Sequence, residues 1–211
     1  MTPEELKEKI EEGCGKLNQE TSDEQVRQYA SLLTELERWS ARVNLTAIRA
    51  IRDMISGHLL DSLAVRPFLH GSNIIDIGTG AGFPGLPLAI AEPDRLFTLL
   101  DSNGKKINFV QHMVAMLDLE NVTPVKARSE NYASDKPFDT VIARALAGIP
   151  KLIELGGHLL GEKGVLLALK GKYPAEELEQ LPDQWHWESE EVSIPGLPQH
   201  SRHIIRLSKN G

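Results

Sequence analysis

With 211 residues, 41% of them apolar and 25% charged, the chain is long enough to bury a full core and has the composition of a globular protein. No apolar run reaches the roughly 20 residues that cross a bilayer, and the acidic start lacks a signal peptide's basic and apolar parts, so a cytoplasmic protein with no membrane partner is expected. A single cysteine, Cys14, excludes an internal disulfide and a cysteine-rich zinc site, and the seven histidines lack ligand spacing, so no metal is expected.

The net charge of −7 is unevenly spread. Residues 1–24 hold eight acids against three lysines, and residues 176–191 hold seven acids and no base, which leaves the rest of the chain at +5. An acidic total therefore does not exclude a nucleic-acid partner.

The first 20 residues read as a charged helix, a solvated lead-in with no role attached. Ser22 and Gln25 have capping-box spacing, and Val26, Tyr29, Leu33, Leu36 and Val43 recur at helical intervals, with Trp39 on the buried side. After Asn44-Leu45-Thr46 a second helical stretch runs from Ile51 to Phe68, with Ile51, Met54, Ile55, His58, Leu59 and Ser62 along one face. His58 and Asp61, three apart, are neighbours on it. His58 is a candidate RNA contact; a hydrogen-bonded, partly buried histidine is the competing reading.

Residues 76–85, DIGTGAGFPG, follow a short apolar run and precede another, Leu86 to Ala91, and read as a strand, a glycine turn and a helix. Gly78, Gly80 and Gly82 alternate, so the backbone can take positive φ and a ligand can approach amides that no Cβ shields. With Pro84 or Gly85 as cap, Pro87 falls in the first turn, and Pro93 ends the helix near Glu92. A phosphate loop would need Gly-Lys-Ser/Thr, and a dinucleotide fingerprint would need a glycine where Phe83 stands. An acid two residues before the first glycine, Asp76, followed by Gly-x-Gly-x-Gly, resembles the first motif of class I S-adenosylmethionine-dependent methyltransferases. Asp101, at the end of the next strand, is placed to bind ribose hydroxyls; capping the helix that begins near Gly104 is the alternative.

From Asn73 onward strands near 73–77, 96–101, 122–127, 138–143 and 164–169 alternate with helices, which predicts a parallel sheet covered on both faces. Trp185 to Ile194 and Arg202 to Ser208 read as an antiparallel hairpin at its edge, joined by the Pro195 to His200 loop. Ligands of such sheets bind beyond the carboxyl ends of the strands. Five of the six strand-end segments there carry a base, including Lys105, Lys106, Arg128, Arg144, Lys170, Lys172 and Arg202, which points to an anionic substrate.

The stretches VNLTAIR (43–49), HLLDSL (58–63), IDIGTGAGFPGLPLAI (75–90), LLDSNGKKINFV (99–110), FDTVIARALA (138–147) and LLALKG (166–171) together resemble one family, the bacterial methyltransferases G of small-subunit ribosomal RNA, also called glucose-inhibited division protein B. The resemblance spans about residue 25 to the end. It implies an α/β class I fold preceded by helices, and N7 methylation of a guanine in 16S ribosomal RNA with S-adenosylmethionine as donor. It also implies cofactor contacts at Gly78, Phe83, Ser129, Glu130 and Arg144. The partner would be 16S ribosomal RNA or the small ribosomal subunit, and no feature demands a protein partner. Residues 1–70 are expected as a helical region packed on the core, and residues 71–211 as the methyltransferase core.

Chemistry narrows the acceptor separately. Methylation at pyrimidine C5 needs a cysteine nucleophile, and Cys14 is far in sequence from every strand end. Exocyclic-amine methylation commonly uses a polar residue and two prolines after the fourth strand, where this chain reads Ala143-Arg144-Ala145-Leu146. Guanine N7 loses no proton when it attacks, so no catalytic base is expected. A methyltransferase for protein or small molecules, and a non-catalytic binding module, stay open as alternatives at this point.

Overall fold

A computed structural model describes residues 1–197 and 201–209. Strands β1 (Asn73–Ile77), β2 (Leu96–Asp101), β3 (Val122–Lys126), β4 (Phe138–Arg144), β5 (Leu160–Lys170), β6 (Trp185–Ser193) and β7 (Ser201–Lys209) form one sheet in the order β3-β2-β1-β4-β5-β7-β6. β1 to β5 are parallel, and β7 runs antiparallel to both β5 and β6. The interior strands are buried on both faces, as continuous apolar runs such as Gly164 to Leu169 require. The predicted hairpin is therefore present, with β6 as the outer edge; residues 198–200 of its loop lie outside the described residues.

The helices are α1 (Pro3–Lys16), α2 (Asp23–Ser40), α3 (Ile51–Met54), α4 (Asp61–Leu63), α5 (Gly85–Ala91), α6 (Gly104–Met116), α7 (Ile149–Gly156) and α8 (Ala175–Leu178). One apolar core gathers Ile10, Leu33 and Leu59 with Ile74, Phe97 and Val110. A second, on the other sheet face, gathers Ile75, Val141 and Ile205 with Leu152 of α7 and Leu178 of α8.

Three sequence readings change here. The solvated lead-in is a packed helix: Thr2 and Glu5 cap α1 reciprocally, and Leu6, Ile10 and Cys14 at four-residue steps form a buried stripe. Burying side chains of this size contributes roughly 1.5 to 3 kcal/mol each, enough to hold a helix whose other face is solvated charge. Gln19 adds an anchor by donating to the Leu63 carbonyl at 2.6 Å. Next, α2 keeps its predicted Ser22–Gln25 capping box but stops at Ser40. Val43 lies beyond it, in a turn whose N–H bonds back to the Trp39 carbonyl at 2.8 Å. Trp39 is half-buried and packs edge-on against Phe109 with ring centroids 5.5 Å apart.

The third change matters most for function. The predicted helix from Ile51 to Phe68 is not one α-helix: Ile55–Leu60 between α3 and α4 is π-helical, and Arg66–Phe68 is a separate 3₁₀ turn. Widening the turn breaks the single 3.6-residue stripe, and residues 58–65 are buried on every side. His58 and Asp61 consequently face the end of β4 instead of solvent.

Candidate functional site

The strand order reverses between β1 and β4, where a crevice opens beyond the strand ends. A cavity of about 780 Å³ occupies it. Gly78 to Ala81, Phe83, Asp101 to Asn103 and Arg144 to Leu146 line one side, and Leu45 to Ile48 with Gly57, His58 and Asp61 line the other.

The strand-end side is a glycine loop held by its neighbour strand. Gly78 and Thr79 donate to the Leu100 carbonyl at 2.8 and 3.0 Å, and the Gly80 N–H donates to Asp101 Oδ2 at 2.9 Å. Gly80 sits at φ +63°, and a Cβ there would meet nothing nearer than Lys106 Nζ at 3.9 Å, so this backbone faces open cavity. Asp101 Oδ1 accepts from the Asn103 N–H at 2.7 Å, but the cap of α6 is Asn103, whose Oδ1 accepts from Lys105 N–H at 3.0 Å. Asp101 is thus free of the capping role and reaches the cavity with acceptor capacity left over.

Asp76 is placed differently from the predicted ligand-facing acid. It is fully buried beneath the loop, and Oδ2 accepts from Thr79 Oγ1 at 2.6 Å and from the Gly85 N–H at 3.0 Å. It does not line the cavity; it braces the loop against the start of α5. Burial pushes its carboxyl up to about 6 against the two hydrogen bonds that lower it, and Oδ1 has no partner among the described residues. The brace needs Gly85, because a Cβ there would stand 2.1 Å from Leu99 Cδ2.

On the other side, Asp61 accepts from Arg144 Nη1 at 3.1 Å and from Arg202 Nε at 2.5 Å, so one carboxylate ties the helical region to β4 and β7. Arg144 also donates to the Gly57 carbonyl at 3.4 Å and to His58 Nδ1 at 3.5 Å, and its guanidinium lies 5.9 Å from the centre of the Phe83 ring. With Nδ1 accepting, Nε2 carries the proton toward Thr46 Oγ1 at 2.7 Å. The His58 ring stacks on Phe83 at 4.9 Å. Burial first, and Arg144 second, push His58 down to about 3, so it is neutral at physiological pH.

Of the predicted site residues, the structure therefore brings Gly78, Gly80, Phe83, Asp101, Arg144, His58, Lys106 and Arg202 to one cavity. Ser129 and Glu130 lie outside its lining: the Ser129 hydroxyl donates to the Leu155 carbonyl at 2.5 Å, and exposed Glu130 sits 3.8 Å from Arg128. Lys105 and Lys172 are exposed beyond it. Lys170 turns away, donating to Glu177 at 2.7 Å and to the Ala147 carbonyl at 3.0 Å. The expected positive strand-end edge is thus partly cancelled, by Glu177 at Lys170 and by Asp61 at Arg144 and Arg202. Residues the sequence reading missed include Thr46, Thr79 and Ala145. Ala145 holds φ +51°, a left-handed conformation that an alanine gives no reason to expect.

Cys14 is fully buried in α1, outside the cavity lining, and burial pushes its thiol up to about 11. It offers no thiolate to a bound base. Among the described residues, no group of three or more His, Cys, Asp or Glu side chains converges as a metal site, and no helix is long and apolar enough to cross a membrane.

Comparison with known proteins adds independent findings. The family model for rRNA small subunit methyltransferase G matches residues 23–205. A ribosomal RNA small subunit methyltransferase G of Idiomarina loihiensis is 50% identical over 189 residues, 89% of this chain and 91% of that protein. One of Alteromonas mediterranea is 41% identical over 207 residues, 98% of each chain. Among solved structures, precorrin-6y C5,15-methyltransferase of Geobacter metallireducens has a TM-score of 0.54 at 19% identity, covering 79% of this chain and 91% of that one, a likeness of fold alone.

Proposed function

Because the chain belongs to the rRNA small subunit methyltransferase G family, with a class I methyltransferase fold, we propose that it transfers the methyl group of S-adenosylmethionine to N7 of a guanine in 16S ribosomal RNA, in the cytoplasm. The observation that carries this reading is the cavity itself, where the open Gly80 backbone and the Asp101 carboxylate meet at the switch point of the sheet. In this reading residues 1–70 are a helical region supplying one wall, and residues 71–211 are the methyltransferase core.

The residues present fit the donor. S-adenosylmethionine, when bound, supplies a methyl group already activated on a sulfonium. Gly78 and Gly80 admit it to the loop, and Asp101, with two of its roughly four acceptor positions used within the protein, has two left for ribose hydroxyls. Ser129, with its hydroxyl engaged, and Glu130 would contribute through their backbone. Asp76 acts through the loop it braces. Neutral His58 adds no positive charge beside the sulfonium, and Asp61, shared with Arg202, offsets part of the charge of Arg144.

Guanine N7 attacks with a free lone pair, so the chain's residues need to align and not to abstract. Fixing the two reactants in line supplies about 7 to 11 kcal/mol. An arginine bonded to N7 would occupy the attacking lone pair, so a guanine-reading arginine favours O6. Labelled S-adenosylmethionine incubated with naked ribosomal RNA, assembly intermediates and whole small subunits, followed by mapping of the label, tests the reading. Label at one guanine is expected; label on protein or small molecules only, or no turnover, would overturn it.

A further inference from the structure

The cavity wall opposite the glycine loop belongs to a segment with an unusual charge. Residues 38–52 hold Arg38, Arg42, Arg49 and Arg52, a charge of +4 bounded by Glu37 and Asp53, and Glu37 Oε1 accepts from the Ile51 N–H at 3.1 Å. All four arginines are exposed. Among the described residues Arg38 is the one of the four that forms an ion pair, with Glu35 at 3.3 Å, and Glu35 is shared with His112 at 3.1 Å. Arg42 and Arg52 form no ion pair among the described residues.

The segment is also held in shape. Arg49 donates to the Ser40 carbonyl at 2.6 Å and to Asn44 Oδ1 at 2.8 Å, two neutral acceptors that fix the guanidinium across the turn and leave its charge uncompensated. Thr46 Oγ1 accepts from the Ile48 N–H at 3.2 Å and pairs with His58, which fastens the middle of the segment to the cavity. Leu45 to Ile48 line the cavity while the arginines flank it in sequence on both sides. A fixed loop loses little conformational freedom on binding, and exposed unpaired arginines are suited to phosphate.

We propose that residues 38–52 form a phosphate-binding wall that grips the substrate RNA backbone beside the methyl-transfer cavity, with Arg42 and Arg52 as direct contacts and Arg49 as the staple that holds the turn carrying Arg42. This rests on the RNA-methylating reading above and adds the helical region to the strand-end lysines as a source of RNA affinity. Of the strand-end cations, Arg144, Lys170 and Arg202 already face carboxylates, whereas Lys105, Lys106 and Lys172, like Arg42 and Arg52, form no ion pair among the described residues.

The test uses the full chain and its Arg42→Ala/Arg52→Ala variant, both positions being exposed and outside the cavity. Affinity for small-subunit ribosomal RNA is measured across a salt series, with calorimetry of S-adenosylmethionine binding alongside. Two lost phosphate contacts lower the dependence of log affinity on log salt by about 1.4 to 1.8. The expected result is that decrease, weaker RNA binding, a raised KM for RNA with kcat retained, and unchanged affinity for S-adenosylmethionine. A wild type that methylates RNA beside a variant with the same salt slope and affinity overturns the phosphate wall alone. A wild type that binds no RNA overturns both the wall and the reading beneath it.

Discussion

The two sides of the cavity differ in how their arginines are partnered. On the strand-end side three cations are tied to carboxylates, Lys170 to Glu177 and both Arg144 and Arg202 to a shared Asp61, while Lys106 forms no ion pair among the described residues and Asp101 keeps acceptor capacity beyond the Gly80 and Asn103 amides. In the segment 38–52, whose Leu45 to Ile48 line the other side, Arg42 and Arg52 form no ion pair among the described residues and Arg49 bonds to neutral acceptors. A small donor molecule needs a pre-formed, hydrogen-bonded cradle that does not reorganise on binding. A phosphate backbone needs cations whose counterions it can displace. The contrast teaches that a basic residue at a strand end is informative only once its partner is known.

Removing Asp61 breaks the strand-end wall most severely. Asp61→Ala leaves two arginines side by side with no acid between them, and loss of one member of a buried pair costs about 3 to 5 kcal/mol. Denaturant unfolding should show that loss. Asp61→Asn, which keeps an acceptor, should fall between it and wild type.

The brace beneath the loop should be visible as a pH effect. Asp76 has a folded pKa of about 6 against an ordinary 3.8, so the folded state holds its proton more tightly than the unfolded state. Its contribution is fully present below about pH 4 and is lost as pH rises through 6, by on the order of 3 kcal/mol in total. His58 acts in the opposite sense: with its pKa depressed from 6.5 to about 3, its contribution is present above pH 6.5 and lost as pH falls. The two offset each other between pH 4 and 6, so wild type alone is a poor reporter. Asp76→Asn should gain thermal stability relative to wild type as pH is raised from 4 to 8; a pH-independent difference would show that the carboxyl does not titrate in the fold.

Arg144 tests whether the wall depends on charge or on shape. Its guanidinium reaches Asp61, the Gly57 carbonyl and His58 Nδ1 together, and a lysine can replace the ion pair but not the fork. Losing such charge-assisted bonds costs about 1.5 to 3 kcal/mol, so Arg144→Lys should reduce kcat/KM nearly as far as Arg144→Ala. Near-normal activity of the lysine variant would reduce the site to a point charge. The smallest effect is expected at Gly80→Val. A β-branched residue at φ +63° costs about 1 to 2 kcal/mol and fills open cavity, so calorimetry should give roughly tenfold weaker S-adenosylmethionine binding in a protein that still folds.

Much of this fold was legible because its strands are short apolar runs bounded by turns, and because prolines and glycines bracket α5. What stayed hidden had physical reasons. Eight of the fourteen residues of α1 are charged, so composition pointed to a solvated helix although Leu6, Ile10 and Cys14 make a buried stripe. The π-helical segment follows from tertiary packing around His58 and Asp61, and no local propensity encodes it. A motif acid such as Asp76 looks the same in sequence whether it faces a ligand or braces a loop. Asp61 was visible as a neighbour of His58, but its partners lie 83 and 141 residues away, beyond any spacing rule.

The atom that accepts the methyl group can be tested directly with synthetic substrate RNA that carries 7-deazaguanine at the mapped position. This base keeps the Watson–Crick edge and lacks the N7 lone pair. Methylation of that nucleotide should disappear while the unmodified RNA is methylated under the same conditions; transfer to the 7-deazaguanine nucleotide at the normal rate would contradict N7 attack in this cavity.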